Sequence, residues 1–212
     1  MTDTASSPPF VRIGDVAPNF AARSTQGAFE LSSLRGNWVL LFSHPADFTP
    51  VCTSEFMAFA RAQEQFEAAG CMLVGYSIDT LFAHFAWLRA IKDAFDVEVR
   101  FPVVEDPTME IGRAFGMAAA DARDASAIRS TYVIDPDGVV QAMSTYPTNV
   151  GRSIPELLRL VAALQATWRS AQLAPAGWQP GEPLMRAAST DFAEIMASDS
   201  PIGWFYRGGK GG

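Results

Sequence analysis

Short apolar runs alternate with longer amphipathic stretches over the first 170 residues of this chain. Residues 37–43 (Asn-Trp-Val-Leu-Leu-Phe-Ser) are almost wholly apolar and lie between Gly36 and Pro45, the pattern of a strand covered on both faces. Residues 53–69 predict a helix with Phe56, Phe59, Ala60 and Phe66 on roughly one face, stopped by Gly70. Residues 71–78 predict a second buried strand. Residues 80–95 predict a helix whose apolar spacing is carried by Leu81, Phe85, Leu88 and Phe95. A short strand over 101–104 and a short helix over 108–116, closed by Gly116, follow. Residues 118–127 are Ala/Asp-rich and read as an exposed loop. Segments 130–134 and 139–144 flank Asp135-Pro136-Asp137-Gly138, a hairpin with its turn residues in place. Residues 153–170 have Ile154, Leu157, Leu158, Val161, Leu164 and Trp168 at helical spacing. The leading segment, 11–35, is punctuated by Gly14, Pro18 and Gly27 and reads as loop-rich.

The order β-α-β-α-β-α-β-β-α predicts an α/β layer fold with a mixed sheet, compatible with a thioredoxin-like core. The texture changes after residue 171. Pro175, Pro180, Pro183, Gly177 and Gly181 crowd one stretch, and the chain ends in Gly-Gly-Lys-Gly-Gly. We expect a core domain over 10–171 and an extended C-terminal arm over 172–212 with one short helix near 190–198. An arm this rich in proline is expected to lie against a partner subunit.

Composition narrows the function. Of 212 residues, 49% are hydrophobic and 18% charged, enough to build a sizeable core. The net charge of −7 argues against a nucleic-acid partner, whose recognition rests on clustered cations. No apolar run reaches the ~18 residues that cross a bilayer, so no membrane association is expected. Residues 1–10 lack the basic and apolar stretches of a signal peptide, and the expected location is cytoplasmic. Two cysteines 19 residues apart, Cys52 and Cys71, make neither a disulfide framework nor a Cys-x-x-Cys motif. With only His44 and His84 beside them, no metal site and no cofactor is expected.

The chemistry concentrates in Ser43-His44-Pro45-Ala46-Asp47-Phe48-Thr49-Pro50-Val51-Cys52-Thr53-Ser54-Glu55, where a buried strand hands over to a helix. Cys52 falls at or just inside the helix start, where orphan N–H groups and the positive dipole end favour a thiolate. Thr49, three residues earlier, can offer its hydroxyl to the sulfur or to a substrate oxygen. Pro45 and Pro50 restrict the backbone around it. Taken singly, these residues fit a buried packing cysteine as well. Cys71, opening an apolar strand without a polar escort, reads as packing.

Taken together, they resemble a known family. Pro45-x-x-x-Thr49-x-x-Cys52 looks like the active-site signature of peroxiredoxins. The longer stretch from His44 to Thr53 is similar in particular to the one-cysteine, peroxiredoxin 6-type subgroup and its archaeal relatives. Ser77-Ile78-Asp79 with Phe82, His84 and Trp87 matches in order, as do Phe101-Pro102, Asp106-Pro107, Arg129 through Pro136, Tyr146-Pro147 and Gly151-Arg152. The resemblance covers roughly residues 10–180. It implies a thiol peroxidase acting on hydrogen peroxide and organic hydroperoxides, with Cys52 as peroxidatic nucleophile. Thr49 and Arg129 would hold the peroxide, the N–H groups of Val51 and Cys52 would stabilise the displaced oxygen, and Pro45 would shield the sulfur. Glu55 and Arg152 would orient Arg129. His44 would tune the thiolate or bond the oxidised sulfur, whereas His84 reads as a helix-face residue beside Trp87.

Departures from the family refine this picture. No cysteine lies beyond Cys71, and Tyr206 follows Trp204-Phe205 where archaeal relatives carry a cysteine. A one-cysteine cycle is therefore implied, with sulfenic acid reduced by an external thiol: glutathione, a thioredoxin-like protein or another small thiol. Asn37 replaces the serine of the lipase-like motif found in mammalian relatives, so phospholipase activity is not supported. The subgroup's assembly implies a homo-oligomer, a dimer or a decamer built of dimers. Two other readings compete: a peroxide-sensing module that binds clients as a holdase, and a disulfide oxidoreductase. The Thr49/Cys52/Arg129 set speaks against the first, and the missing Cys-x-x-Cys against the second.

Overall fold

All six residues of the run at Trp38–Ser43 are buried, as a strand with neighbours on both sides and layers on both faces must be. The computed structural model describes residues 11–117 and 129–206. The leading decapeptide, the expected loop over 118–127 and the Gly-rich tail lie outside the described residues. The chain divides into two compact units, Met1–Ile154 and Pro155–Gly212. In chain order the first contains β1 (Ala21–Ser24), β2 (Gly27–Glu30), a 3-10 turn (Leu31–Leu34), β3 (Trp38–Ser43), α1 (Pro50–Ala68), β4 (Cys71–Ser77), α2 (Leu81–Phe95), β5 (Val103–Glu105), α3 (Glu110–Phe115), β6 (Arg129–Ile134) and β7 (Val140–Tyr146).

These seven strands form one mixed sheet in the order β2-β1-β5-β4-β3-β6-β7. Only β3–β4 and β4–β5 are parallel. Parallel neighbours require crossover connections, and α1 and α2 supply them. Strand β6 runs antiparallel to β3 with Phe42 opposite Thr131. That register brings the first residue of β6, Arg129, to the end of β3 from which the chain turns into α1. The Ser130 N–H donates to Ser43 Oγ at 2.8 Å and fastens the two ends together.

Alternation along β3 divides the core into two layers. Val39 and Leu41 join Val74, Tyr76, Val104, Tyr132, Ile134 and Phe115 on one face. On the other, Phe42 stacks on Phe59 with ring centroids 4.1 Å apart and meets Phe56 and Phe101 edge-on. Gly75 makes this approach possible, because a Cβ there would stand 3.2 Å from the tip of Phe56. Each fully buried phenylalanine contributes roughly 1.5–3 kcal/mol from burial alone.

Three sequence expectations need correction. The leading segment is not all loop: β1 and β2 form a hairpin on the sheet edge, turning at Gly27 with φ +103°. Four-residue strands this polar carry too little alternation to stand out. Helix α1 starts at Pro50 rather than residue 53, because proline at the first helical position loses no hydrogen bond. Helix α2 buries His84, Trp87 and Ile91, leaving Phe85 and Phe95 about half exposed (45% and 52%). A face defined by apolar residues alone misses the histidine, whose ring is buried because its N–H finds a carboxylate.

The second unit holds nearly all of α4 (Ile154–Thr167), then β8 (Gln172–Leu173), β9 (Met185–Arg186) and α5 (Phe192–Met196). Strands β8 and β9 pair antiparallel. Trp178 is buried, donates its indole N–H to the Glu182 carbonyl at 2.9 Å and accepts from Arg159 of α4 at 3.2 Å. The short helix near the end is capped by Asp191, whose carboxylate accepts from the N–H groups of Ala193 and Glu194. Phe192 and Met196 on that helix are exposed.

Candidate active site

Cys52 is the third residue of α1. Thr49 is the N-cap, Pro50 has no N–H to offer, and the first helical bond runs from the Thr53 N–H to the Thr49 carbonyl at 2.9 Å. The N–H groups of Val51 and Cys52 therefore have no carbonyl within the helix and present the positive end of its dipole. The Thr49 hydroxyl donates to the Ala46 carbonyl at 2.9 Å, which leaves its lone pairs available as acceptors. Between them Phe48 sits in the left-handed region, φ +57°, a costly backbone conformation for a residue other than glycine, with its ring largely exposed. Cys52 itself is wholly buried, while Pro45, Thr49 and Val51 are half-buried.

The Arg129 guanidinium reaches this sulfur: Nη1 lies 3.6 Å from Cys52 Sγ. The same Nη1 also donates to Glu55 Oε2, and Nη2 donates to the Thr148 carbonyl at 2.8 Å. Glu55, three residues after Cys52, shares its helix face. Glu55 Oε1 accepts from the Arg152 N–H at 2.6 Å and from its Nε at 2.9 Å, and Oε2 accepts from Nη2 at 2.8 Å. Arg152 Nη1 extends to the Ser130 carbonyl at 3.0 Å and the Thr131 hydroxyl at 3.2 Å, and its guanidinium lies over Phe42 and Phe59. All three charged side chains are buried. Burial alone would raise the Glu55 carboxyl, but the hydrogen bonds and charge of Arg152, with the charge of Arg129, hold it below the usual range. Two guanidiniums around one carboxylate leave one positive charge unbalanced, and it faces the sulfur.

A second buried network lies on the other side of the Pro45–Thr49 turn. His44 Nε2 is 2.8 Å from Asp47 Oδ1, and His84 Nδ1 is 2.8 Å from Asp47 Oδ2. Both rings are fully buried. His44 also stacks on Trp87 and packs edge-on against Phe56. Burial lowers the affinity of His44 for a second proton, and the bond and charge of Asp47 only partly offset this. Burial raises the Asp47 carboxyl, yet the two imidazole bonds outweigh it and hold it low. Among the described residues these three are the grouping whose ligating atoms converge, within 4.8 Å of one another. Ligands held ~2.0–2.2 Å from a zinc ion in tetrahedral geometry stand about 3.3 Å apart. The 2.8 Å spacings are those of hydrogen bonds closed by protons, so the donor set does not fit a resident metal.

Cys52, Glu55, Arg129 and Arg152 thus meet from α1, β6 and the residues ahead of α4. Pro45, Thr49 and Val51 lie in the turn and first residues leading into Cys52, and His44 belongs to the second network. Residue-pattern reading gave Asp47 no role and read His84 only as a helix-face residue beside Trp87; the ring is buried and meets Asp47, and an aspartate three residues after His44 was the available signal. Cys71 stands apart at the start of β4, buried, its thiol pushed up to about 12 by burial.

Comparisons place the chain. The model of the AhpC/TSA family matches residues 13–143, and that of the C-terminal domain of 1-Cys peroxiredoxin matches residues 163–194. A peroxiredoxin of Thermoplasma volcanium is 40% identical over 200 residues, covering 93% of this chain and 98% of the relative. The chain is a peroxiredoxin of the AhpC/TSA family. A Methanosarcina mazei peroxiredoxin is 44% identical over 177 residues, covering 80% of this chain and 81% of the other. Among solved structures, yeast mitochondrial 1-Cys peroxiredoxin superposes with a TM-score of 0.83 at 35% identity, covering 94% and 99% of the two chains. A cysteine-to-serine mutant of peroxiredoxin 6 of Arenicola marina gives 0.81 at 30% identity, covering 93% and 98%. The seven-stranded peroxiredoxin sheet is accordingly thioredoxin-like, and the enzyme is a peroxidase. No helix among the described residues is long and apolar enough to cross a membrane.

The pH dependence of stability follows from these networks. His44 faces Asp47, His84 and Asp79, and is held neutral. Its proton affinity is lower folded than unfolded, so its contribution is full above its ordinary value of about 6.5 and is lost as the pH falls below it. Asp47 and Glu55, held low, lose their contribution only below about pH 4. Urea midpoints of wild type and His44→Gln should therefore converge as the pH is lowered from about 6.5 toward 4. A constant gap across that range would show that His44 does not titrate on unfolding.

Proposed function

We propose that this peroxiredoxin reduces hydrogen peroxide and organic hydroperoxides at Cys52 alone, and that an external thiol completes the cycle. The observation that carries this reading is the buried Arg129 guanidinium 3.6 Å from Cys52 Sγ, itself held by Glu55. The thiolate sulfur attacks the terminal oxygen of the peroxide. The S–O bond forms as the O–O bond breaks, sulfur is oxidised to sulfenic acid, and the leaving alkoxide or hydroxide takes a proton. Arg129 and the free N–H groups of Val51 and Cys52 are placed to stabilise the charge that builds on oxygen. The lone pairs of Thr49 Oγ1 can accept the peroxide O–H, and Pro45 keeps water from the sulfur.

A small thiol then attacks the sulfenic sulfur and expels water, and a second thiol releases Cys52 from the mixed disulfide. Cys71 is no candidate for resolving it, since burial pushes its thiol up to about 12. Similarity to a 1-Cys C-terminal domain supports the same cycle. Glutathione and thioredoxin-like proteins are the reductant classes proposed, by analogy with the yeast relative, whose thiol resolution runs via glutathione/thioredoxin systems. We place the enzyme in the cytoplasm and divide it into a peroxidase domain (10–171) and an extension (172–212).

The proposed assembly is a homodimer. Phe192 (75% exposed), Met196 and Ile202 of the extension are large apolar groups that an interface would cover. Sedimentation of the full chain is expected to give twice the chain mass, and a monomer at micromolar concentration would remove this assignment.

Cys52→Ser should abolish peroxide reduction with the fold retained, while Cys71→Ser keeps most of the activity. A folded but inactive Cys71→Ser enzyme would end the one-cysteine reading. Arg129→Lys keeps the charge but loses the planar fork that serves sulfur, Glu55 and Thr148 at once. Oxidation of Cys52 in stopped flow should slow by ~10–10³-fold, the scale for one preorganised donor. An unchanged rate constant would take Arg129 out of the site.

A further inference from the structure

The imidazole–carboxylate–imidazole network next to Cys52 takes no part in the chemistry above. We propose that Asp47 and His84 are positioning residues for the peroxide step. With His44 they form a buried clasp, one carboxylate between two imidazoles, that fixes residues 44–49, the segment that carries Pro45 and Thr49 into the helix of Cys52. This rests on the reading of Cys52 as the peroxide-reducing thiol.

The clasp has a single arrangement of protons. An ionised carboxylate only accepts, so each Asp47 oxygen takes one imidazole N–H. His44 therefore carries its proton on Nε2 and His84 on Nδ1. The remaining nitrogens, His44 Nδ1 and His84 Nε2, are buried with no protein partner. A second proton on either ring would be a buried cation with an unmet N–H, at several kcal/mol of desolvation. The other charged groups facing the clasp are carboxylates, and Asp79 draws His44 toward a second proton, but burial of the ring outweighs it. Asp79 lies on the β4–α2 turn, and Glu105 of β5 is paired with Arg23.

The clasp also joins three elements. His44 follows β3, Asp47 sits in the turn before α1, and His84 belongs to α2. The Asp47 N–H donates to Asp79 Oδ2 at 3.0 Å, and that oxygen accepts from Ser77 Oγ at 2.7 Å. Asp47 is thus tied by its backbone to the β4–α2 turn and by its side chain to α2. One turn beyond His84, Trp87 stacks on His44 and donates its indole N–H to Thr53 Oγ1 at 3.2 Å. Helix α2 thereby holds the chain on both sides of Cys52. Within the held segment, Phe48 keeps its left-handed conformation and the Ala46 carbonyl accepts from Thr49. A strained residue persists only where its surroundings over-determine it. Asp47, the residue before Phe48, supplies that constraint. Releasing it would let Phe48 relax and carry Thr49 away from the sulfur.

The test uses the reduced full-length protein. Nitrogen-15 NMR of the histidines should show His44 protonated on Nε2 and His84 on Nδ1. Cys52 oxidation by hydrogen peroxide, followed in stopped flow, should slow about 10- to 100-fold in His84→Leu, the scale for a small misplacement of a reacting group. His84→Asn, whose amide N–H stands near the place of Nδ1–H, should return to within about threefold of wild type on the same scale. The opposite tautomers, doubly protonated rings, or stoichiometric zinc in the purified protein would overturn the proposal. So would a His84→Leu protein that loses thermal stability yet oxidises at the wild-type rate, which would mark the clasp as structural only. Wild-type protein that fails to react with peroxide would instead defeat the peroxidase reading itself, whatever the tautomers.

Discussion

The Glu55 carboxylate, held between the guanidiniums of Arg129 and Arg152, is the interaction on which the rest of the site depends. Three charges taken out of water cost several kcal/mol each unless their geometry repays it. Here nearly every lone pair and proton is used: Glu55 accepts from both arginines, Arg152 also reaches Ser130 and Thr131, and Arg129 also reaches Thr148. The arrangement clamps α1 to β6 and to the residues ahead of α4. Arg129 Nη1 is shared between Glu55 and Cys52, while its Nε is buried without a partner. Removing Glu55 would leave two buried cations facing each other, so the carboxylate sets both the stability of this corner and the aim of its guanidinium.

Two buried carboxylates bracket Cys52 in the chain, Asp47 five residues before it and Glu55 three after. They act on different objects. Glu55 orients a cation that faces the sulfur, and Asp47 ties the turn ahead of α1 to α2 and to Asp79. A shared aromatic wall of Phe42, Phe56, Phe59, Phe101 and Trp87 lies beneath both. It excludes water, which strengthens each charge interaction and raises the cost of leaving any of them unmet. Gly75 is the small residue in β4 that lets Phe56 reach this wall.

Much of this was legible along the chain. The run at 37–43 could only be a covered strand, and the hairpin at 135–138 was written in its turn residues. The helix ending near 168 was carried by its 3.6-residue period. The stretch from His44 to Glu55 announced a thiol at a helix start, because capping, proline placement and acidic spacing are all local. The β1–β2 hairpin was not legible, since four half-polar residues per strand carry no clear period. The inward face of α2 was misread for a related reason: a histidine counts as polar until a buried carboxylate is known to meet it.

What the sequence alone determined, then, was the set of elements and the identity of the reactive thiol's immediate neighbours, all within a few residues of one another. Dihedral limits, helical period and cap chemistry act at that range. Tertiary structure decided which distant groups meet them. Arg129 is 77 residues from Cys52, Arg152 is 97 from Glu55, and His84 is 37 from Asp47. Those meetings depend on the β3–β6 register and on the two crossover helices. A one-residue slip in that register would turn Arg129 to the opposite face of the sheet. Only the packed sheet, with both faces covered, rules that slip out.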